Sequence, residues 1–178
     1  MHQSKPRGNR FNPVLGEAVL YIHSGKWWQA SVELTPGRPC RLDLQVEGGW
    51  KKADPELILG EGASFVTWAK TAELGFRKLI VEKLFQGDYY WIGQWEPSHF
   101  DLPDADSLLE ELSATMVILQ DNGCSSWDFQ ATKYMPLLKV HIWLKSDQTL
   151  ETNFPGSSTT GYEVGLSGPY DPEDLASQ

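Results

Sequence analysis

A stretch of 49 residues between Lys83 and Lys133 contains nine carboxylates and no lysine or arginine. Carboxylates at this density could ligate a cation or form a negatively charged binding surface. An EF-hand calcium loop needs a glycine at its sixth position, and the run that starts at Asp101 has Asp106 there. We therefore expect no metal site. Acidic residues also favour the positive N-terminal end of a helix, which accounts for part of this charge.

Aromatic residues are interleaved with these acids, a combination typical of surfaces that bind basic proteins. They include Tyr89, Tyr90, Trp91, Trp95, Phe100, Trp127 and Phe129. We predict that the loop from residue 96 to 101 and the acidic start of the following helix form a binding surface. Its candidate residues are Glu96, His99, Asp101, Asp104, Asp106 and Glu111.

A second candidate surface comes from strand patterns. Residues 27–34 alternate between apolar and polar positions, as do residues 138–145. Trp27, His141 and Trp143 all fall on the polar-patterned faces of these segments, where they could form an aromatic patch. The simpler alternative is that helices cover both faces of the sheet.

The sequence contains no motif for catalysis or for a cofactor. None of the four histidines has zinc-ligand spacing, and Cys124 follows a predicted helix, where the negative end of the dipole disfavours a thiolate. A nucleophile elbow is absent, and residues 60–64 lack the lysine of a phosphate-binding loop. We therefore expect no cofactor and favour a function other than catalysis.

Composition narrows the class of protein further. The net charge of −9 argues against unaided nucleic-acid binding, which requires lysine and arginine to displace counterions. Apolar runs are far shorter than the roughly 20 residues that span a bilayer. Two cysteines are too few for a disulfide framework, and no secretory signal is evident. We expect no membrane association and a cytoplasmic location.

The hydrophobic patterns predict an α+β fold, with an antiparallel β-sheet of about five or six strands and two main α-helices packed on one face. Period-two segments at 17–23, 27–34 and 40–47 indicate a three-stranded meander. Strands are also predicted at 89–95 and 138–145, with a possible pairing partner for the last at 148–154.

Two helices are predicted from spacings of three and four residues. The first follows Gly62, contains the unfavourable Gly75 and ends at Gly87. In the second, Ser107 and Glu110 fit a capping box, and the apolar stripe is Leu109, Leu112, Met116 and Leu119.

We predict one domain at residues 14–154 between two flexible tails. Residues 1–13 are basic and lack hydrophobic periodicity, and residues 155–178 are acidic and rich in Gly, Ser and Pro.

Three functional hypotheses follow. The first is a protein-interaction module, acting as a subunit, adaptor or inhibitor, that binds a basic protein partner; one version places it in a nucleic-acid-handling complex as an acidic mimic. The second is a module that binds a sugar or another planar ligand on an aromatic sheet face. The third is a small enzyme with a histidine and a carboxylate brought together only by folding, such as His99 with Asp101, or His141 with an acid across the sheet.

Overall fold

A computed structural model describes residues 6–22, 26–45, 54–93, 101–151 and 163–169. Within these ranges it contains nine β-strands and two α-helices. In chain order they are β1 (Pro6–Asn12), β2 (Gly16–Ile22), β3 (Lys26–Glu33), β4 (Pro39–Gln45), α1 (Pro55–Gln86), β5 (Tyr90–Ile92), α2 (Ala105–Glu111), β6 (Ser113–Leu119), β7 (Ser125–Gln130), β8 (Lys139–Leu144) and β9 (Gly165–Ser167).

The described strands form one mixed sheet in the order β1-β2-β3-β4-β6-β7-β8-β9-β5. Two neighbouring pairs, β4 with β6 and β5 with β9, are parallel, and the others are antiparallel. The α+β class is confirmed, but the prediction of five or six antiparallel strands is wrong. The additional strands come from segments whose patterns predict a helix, a tail or no element.

The predicted second helix is the largest error. The segment divides at Leu112, where α2 ends and β6 begins at the next residue. Residues on both faces of β6 are buried, so apolar residues follow one another almost continuously along the strand. Such a run also contains apolar residues at the three- and four-residue spacing of a helix, which is why the sequence predicts a helix here.

Both predicted tails contain a strand. β1 lies within the predicted arm 1–13 and pairs with β2 over residues 6–12. β9 lies within the predicted tail 155–178, yet all three of its residues are buried between β8 and β5. The prediction of flexible tails is therefore wrong for residues 6–12 and 163–169.

The long helix α1 is defined by local signals at both ends. The Asp54 side chain accepts a hydrogen bond from the Glu56 backbone N–H at 3.1 Å, and Pro55 fits the first helical position. At the other end Gly87 adopts a left-handed φ of 68°, and its N–H donates to the Leu84 carbonyl. The predicted end at Gly87 is confirmed, whereas the helix begins at Pro55, before Gly62.

The hydrophobic core lies between α1 and one face of the sheet, which we call the first face. Phe65 of α1 packs against Trp127 of β7, with ring centroids 5.8 Å apart. Helix α2 packs beside α1, where Leu108 is fully buried and the Arg77 guanidinium donates to the Leu109 carbonyl at 2.8 Å. Within the described part of the chain, no helix is long and apolar enough to cross a membrane.

Cross-strand pairing defines the opposite, second face of the sheet, because directly paired residues point to the same side. Trp27 pairs with Gln45, and Asp128 pairs with His141. Along each of these strands, the aromatic and polar side chains of the second face therefore alternate with the buried apolar side chains of the first face.

Candidate functional site

The acidic segment between Lys83 and Lys133 divides into paired and unpaired carboxylates. Among the described residues, Asp88 pairs with Lys83, Glu111 pairs with Arg38, and Asp128 pairs with Lys139 and contacts the His141 imidazole. The side chains of Asp104, just before α2, and of Asp106 and Glu110, within α2, are exposed and form no ion pair with any described residue. We call these three carboxylates the acidic surface.

Asp104 also has a structural role, because it is the N-cap of α2. Its carboxylate accepts hydrogen bonds from the Ser107 backbone N–H at 2.9 Å and from the Ser107 hydroxyl at 2.7 Å. These bonds lower the pKa of Asp104 by stabilising its charged form. The predicted capping box with Ser107 as the cap is wrong, because the cap lies three residues earlier.

Glu111 connects α2 to its neighbours. Its Oε1 accepts hydrogen bonds from the Thr132 hydroxyl and the Lys133 backbone N–H, each at 3.2 Å. Its Oε2 lies 3.7 Å from Nη2 of Arg38, and the same guanidinium donates to the Glu110 carbonyl at 2.8 Å. Glu111 therefore holds the end of α2 in place, and it is less available to a partner than Asp106 or Glu110.

The remaining candidates from this segment can be located only in part. Asp101 is exposed and lies shortly before α2. Glu96 and His99 lie outside the described residues, so the predicted pairing of His99 with Asp101 stays a prediction.

Trp27 and Trp143 lie on the second face but on distant strands. Trp27 stacks on Tyr21 of β2, with centroids 5.6 Å apart, and its indole Nε1 is buried without a hydrogen-bond partner among the described residues. From β3 to β8 there are four strand spacings, roughly 19 Å at about 4.8 Å each. The two rings therefore do not form one aromatic patch.

His141 lies at the centre of a hydrogen-bonded chain on β7, β8 and β9. Its Nδ1 is 2.8 Å from Oδ1 of Asp128, and its Nε2 contacts Oγ of Ser167. Oδ2 of Asp128 lies 3.6 Å from the Lys139 ammonium, and the Trp143 ring lies beside the imidazole at 5.6 Å between centroids. The structure thus brings His141 and Trp143 together with an acid across the sheet.

The sequence interpretation missed Asp128 and Ser167 as members of this group. A signal for Asp128 existed, because Ser126 and Asp128 alternate with the aromatic residues Trp127 and Phe129. Ser167 had no such signal, since its strand is only three residues long.

A cavity of about 490 Å³ lies elsewhere, between the first half of α1 and the turn that joins β6 to β7. Phe65, Trp68 and Leu119 contribute its apolar lining, and Glu61 and Asp121 also line it. None of Trp27, His141 or Trp143 lines this cavity. The alternative prediction of a small-ligand module on the sheet face therefore stays a prediction.

The described residues contain no group of three or more His, Cys, Asp or Glu side chains placed to hold a metal ion. Comparison with known proteins finds no matching family model, curated protein or solved structure, so the functional conclusion depends on the geometry of these sites alone.

Proposed function

We propose that the chain is a protein-interaction module that binds a basic protein partner through the acidic surface formed by Asp104, Asp106 and Glu110. The observation that supports it is the contrast within one segment: Asp88, Glu111 and Asp128 each pair with a cation of this chain, whereas Asp104, Asp106 and Glu110 form no ion pair with any residue that the structure describes.

Electrostatics favours such a partner. The three carboxylates lie within seven residues, so each raises the negative potential at the others. A lysine or arginine from a partner would relieve this repulsion. The net charge of −9 adds long-range attraction for a cationic protein, an effect that mainly increases the association rate.

A charge-reversal experiment tests this surface. The double variant Asp106→Lys with Glu110→Lys reverses two of the three charges and leaves the Asp104 cap and the Glu111 contacts intact. Binding of a fluorescent oligolysine peptide is measured by anisotropy at low and physiological salt. We expect the double variant to bind at least about 10-fold more weakly at low salt, a difference of about 1.4 kcal/mol, and with a shallower salt dependence.

The matched control places the same charge change on α1. Glu56 and Glu82 are exposed there, and Glu56→Lys with Glu82→Lys alters the net charge by the same amount as the test variant. We expect this control to retain most of the binding. If both double variants lost the same amount of binding affinity, net charge alone would explain the effect. That result would contradict a localised binding surface.

A further inference from the structure

We propose that Ser167 is a nucleophile activated by His141 and Asp128, and that this group hydrolyses an ester or amide with an apolar acyl group. The proposal goes beyond the interaction function, which requires no reaction. It depends on the second face of the sheet, and the acidic surface on α2 is not involved.

The order of the hydrogen bonds matches that of a serine–histidine–aspartate triad. A carboxylate only accepts hydrogen bonds, so Nδ1 of His141 carries the proton that is shared with Asp128 at 2.8 Å. The lone pair of Nε2 then faces Oγ of Ser167 and can accept the hydroxyl proton. The imidazole is thereby held in the tautomer that a general base requires.

Three adjacent strands fix these side chains. Asp128 of β7 pairs directly with His141 of β8, which pairs in turn with Gly165 of β9, two residues before Ser167. Groups carried on paired strands are positioned more accurately than groups on loops. Ser167 is only 4% exposed and the His141 side chain 14%, so the three hydrogen-bonded groups are largely shielded from bulk solvent, which strengthens the electrostatic interactions between them.

Gly165 shapes the surroundings of the imidazole. A Cβ at this position would lie 2.6 Å from the Ile92 side chain and 3.1 Å from the Trp143 ring. The glycine therefore lets both apolar groups pack over β9 beside His141. This apolar wall is the reason to expect an apolar acyl group in the substrate.

The reaction balances with water as the only co-reactant. Oγ of Ser167 attacks the carbonyl carbon while its proton passes to Nε2 of His141, and the leaving group departs with that proton. Water then attacks the acyl-serine and gives a proton to His141. The acid is released as Ser167 recovers its proton.

The same contacts could instead satisfy buried polar groups without any reactivity. A fluorophosphonate probe distinguishes the two roles, because it reacts with an activated serine and leaves an ordinary hydroxyl unmodified. The intact protein is incubated with the probe, and the adduct is located by peptide mass spectrometry. We expect a single adduct, on Ser167.

Variants provide the controls. We expect Ser167→Ala to abolish labelling and His141→Gln to slow it at least about 100-fold. Ser126→Ala, which removes a hydroxyl next to Trp143 on the same face, should leave labelling unchanged. Far-UV circular dichroism establishes that each variant is folded. The proposal is overturned if the folded native protein acquires no adduct, or if the adduct lies on another serine.

Discussion

The two cysteines differ in burial, and therefore in the reactivity of their thiols. Cys40 is fully buried on the first face of the sheet, whereas Cys124 is partly exposed in the turn between β6 and β7. Burial, together with the negative charges of Glu73 and Asp128, raises the pKa of the Cys40 thiol to about 12. Because the thiolate is the reactive form, Cys40 should be inert in the native protein.

We predict that Ellman's reagent at about pH 8 modifies one thiol in the native protein and two after denaturation. Cys124→Ser should abolish the native reaction. At higher pH the unfolded Cys40 ionises before the folded one does, so its contribution to stability decreases as pH rises above 9. Equal native reactivity of both thiols would contradict this assignment.

Individual residues were predictable where their own strand carried a pattern. The alternation in residues 138–145 identifies His141 as a polar-face residue. The sequence also predicts an acid across the sheet from it, but does not say which acid. Ser167 could not be found in this way. Its contact with His141 joins positions 26 residues apart, and no local pattern specifies such a pairing.

At the level of elements, caps and turns were more informative than periodicity. Gly87 ended α1 as predicted because only a residue tolerant of left-handed φ fits there without strain. Periodicity failed across Leu112, where a short helix is followed directly by a buried strand. Thr115, Val117 and Ile118 are β-branched and favour a strand, which is the signal that the helical stripe concealed.

Two glycines of α1 should respond oppositely to alanine. Gly75 is exposed, and a Cβ added there would meet no neighbouring side chain within 4 Å, so Gly75→Ala should stabilise the protein by about 1 kcal/mol. At Gly62 the added Cβ would lie 2.7 Å from Cδ1 of the buried Leu44. Gly62→Ala should therefore destabilise by about 1–2 kcal/mol despite its better helix propensity.

Urea unfolding of both variants measures these changes, and each variant serves as the control for the other. Both variants make the same amino-acid change in the same helix, and the two sites differ in what surrounds the new methyl group. A stabilised Gly62→Ala variant would show that Leu44 can move aside and that α1 packs less tightly on β4 than the structure indicates.

At the level of the whole molecule, the unpredicted features are pairings between distant segments. The parallel contact between β4 and β6 connects strands separated by both helices and β5. β5 lies at the far edge of the sheet, where it pairs with β9. Such pairings depend on chain segments far apart in sequence, so local periodicity carries no information about them.

The continuous sheet makes residues 163–169 part of the cooperative core. Leu166 is 0% exposed and lies between β8 and β5, where it is paired with Val140. We predict that Leu166→Ala lowers the free energy of unfolding by about 3 kcal/mol, the usual cost of a cavity in a buried core. Leu57→Ala, at a position 60% exposed, should change it by less than about 0.5 kcal/mol. The measurement is urea denaturation followed by circular dichroism and tryptophan fluorescence. Because β9 belongs to the same core as α1, the circular dichroism and fluorescence transitions of Leu166→Ala should shift together. If Leu166→Ala were as stable as Leu57→Ala, residues 163–169 would not be part of that core.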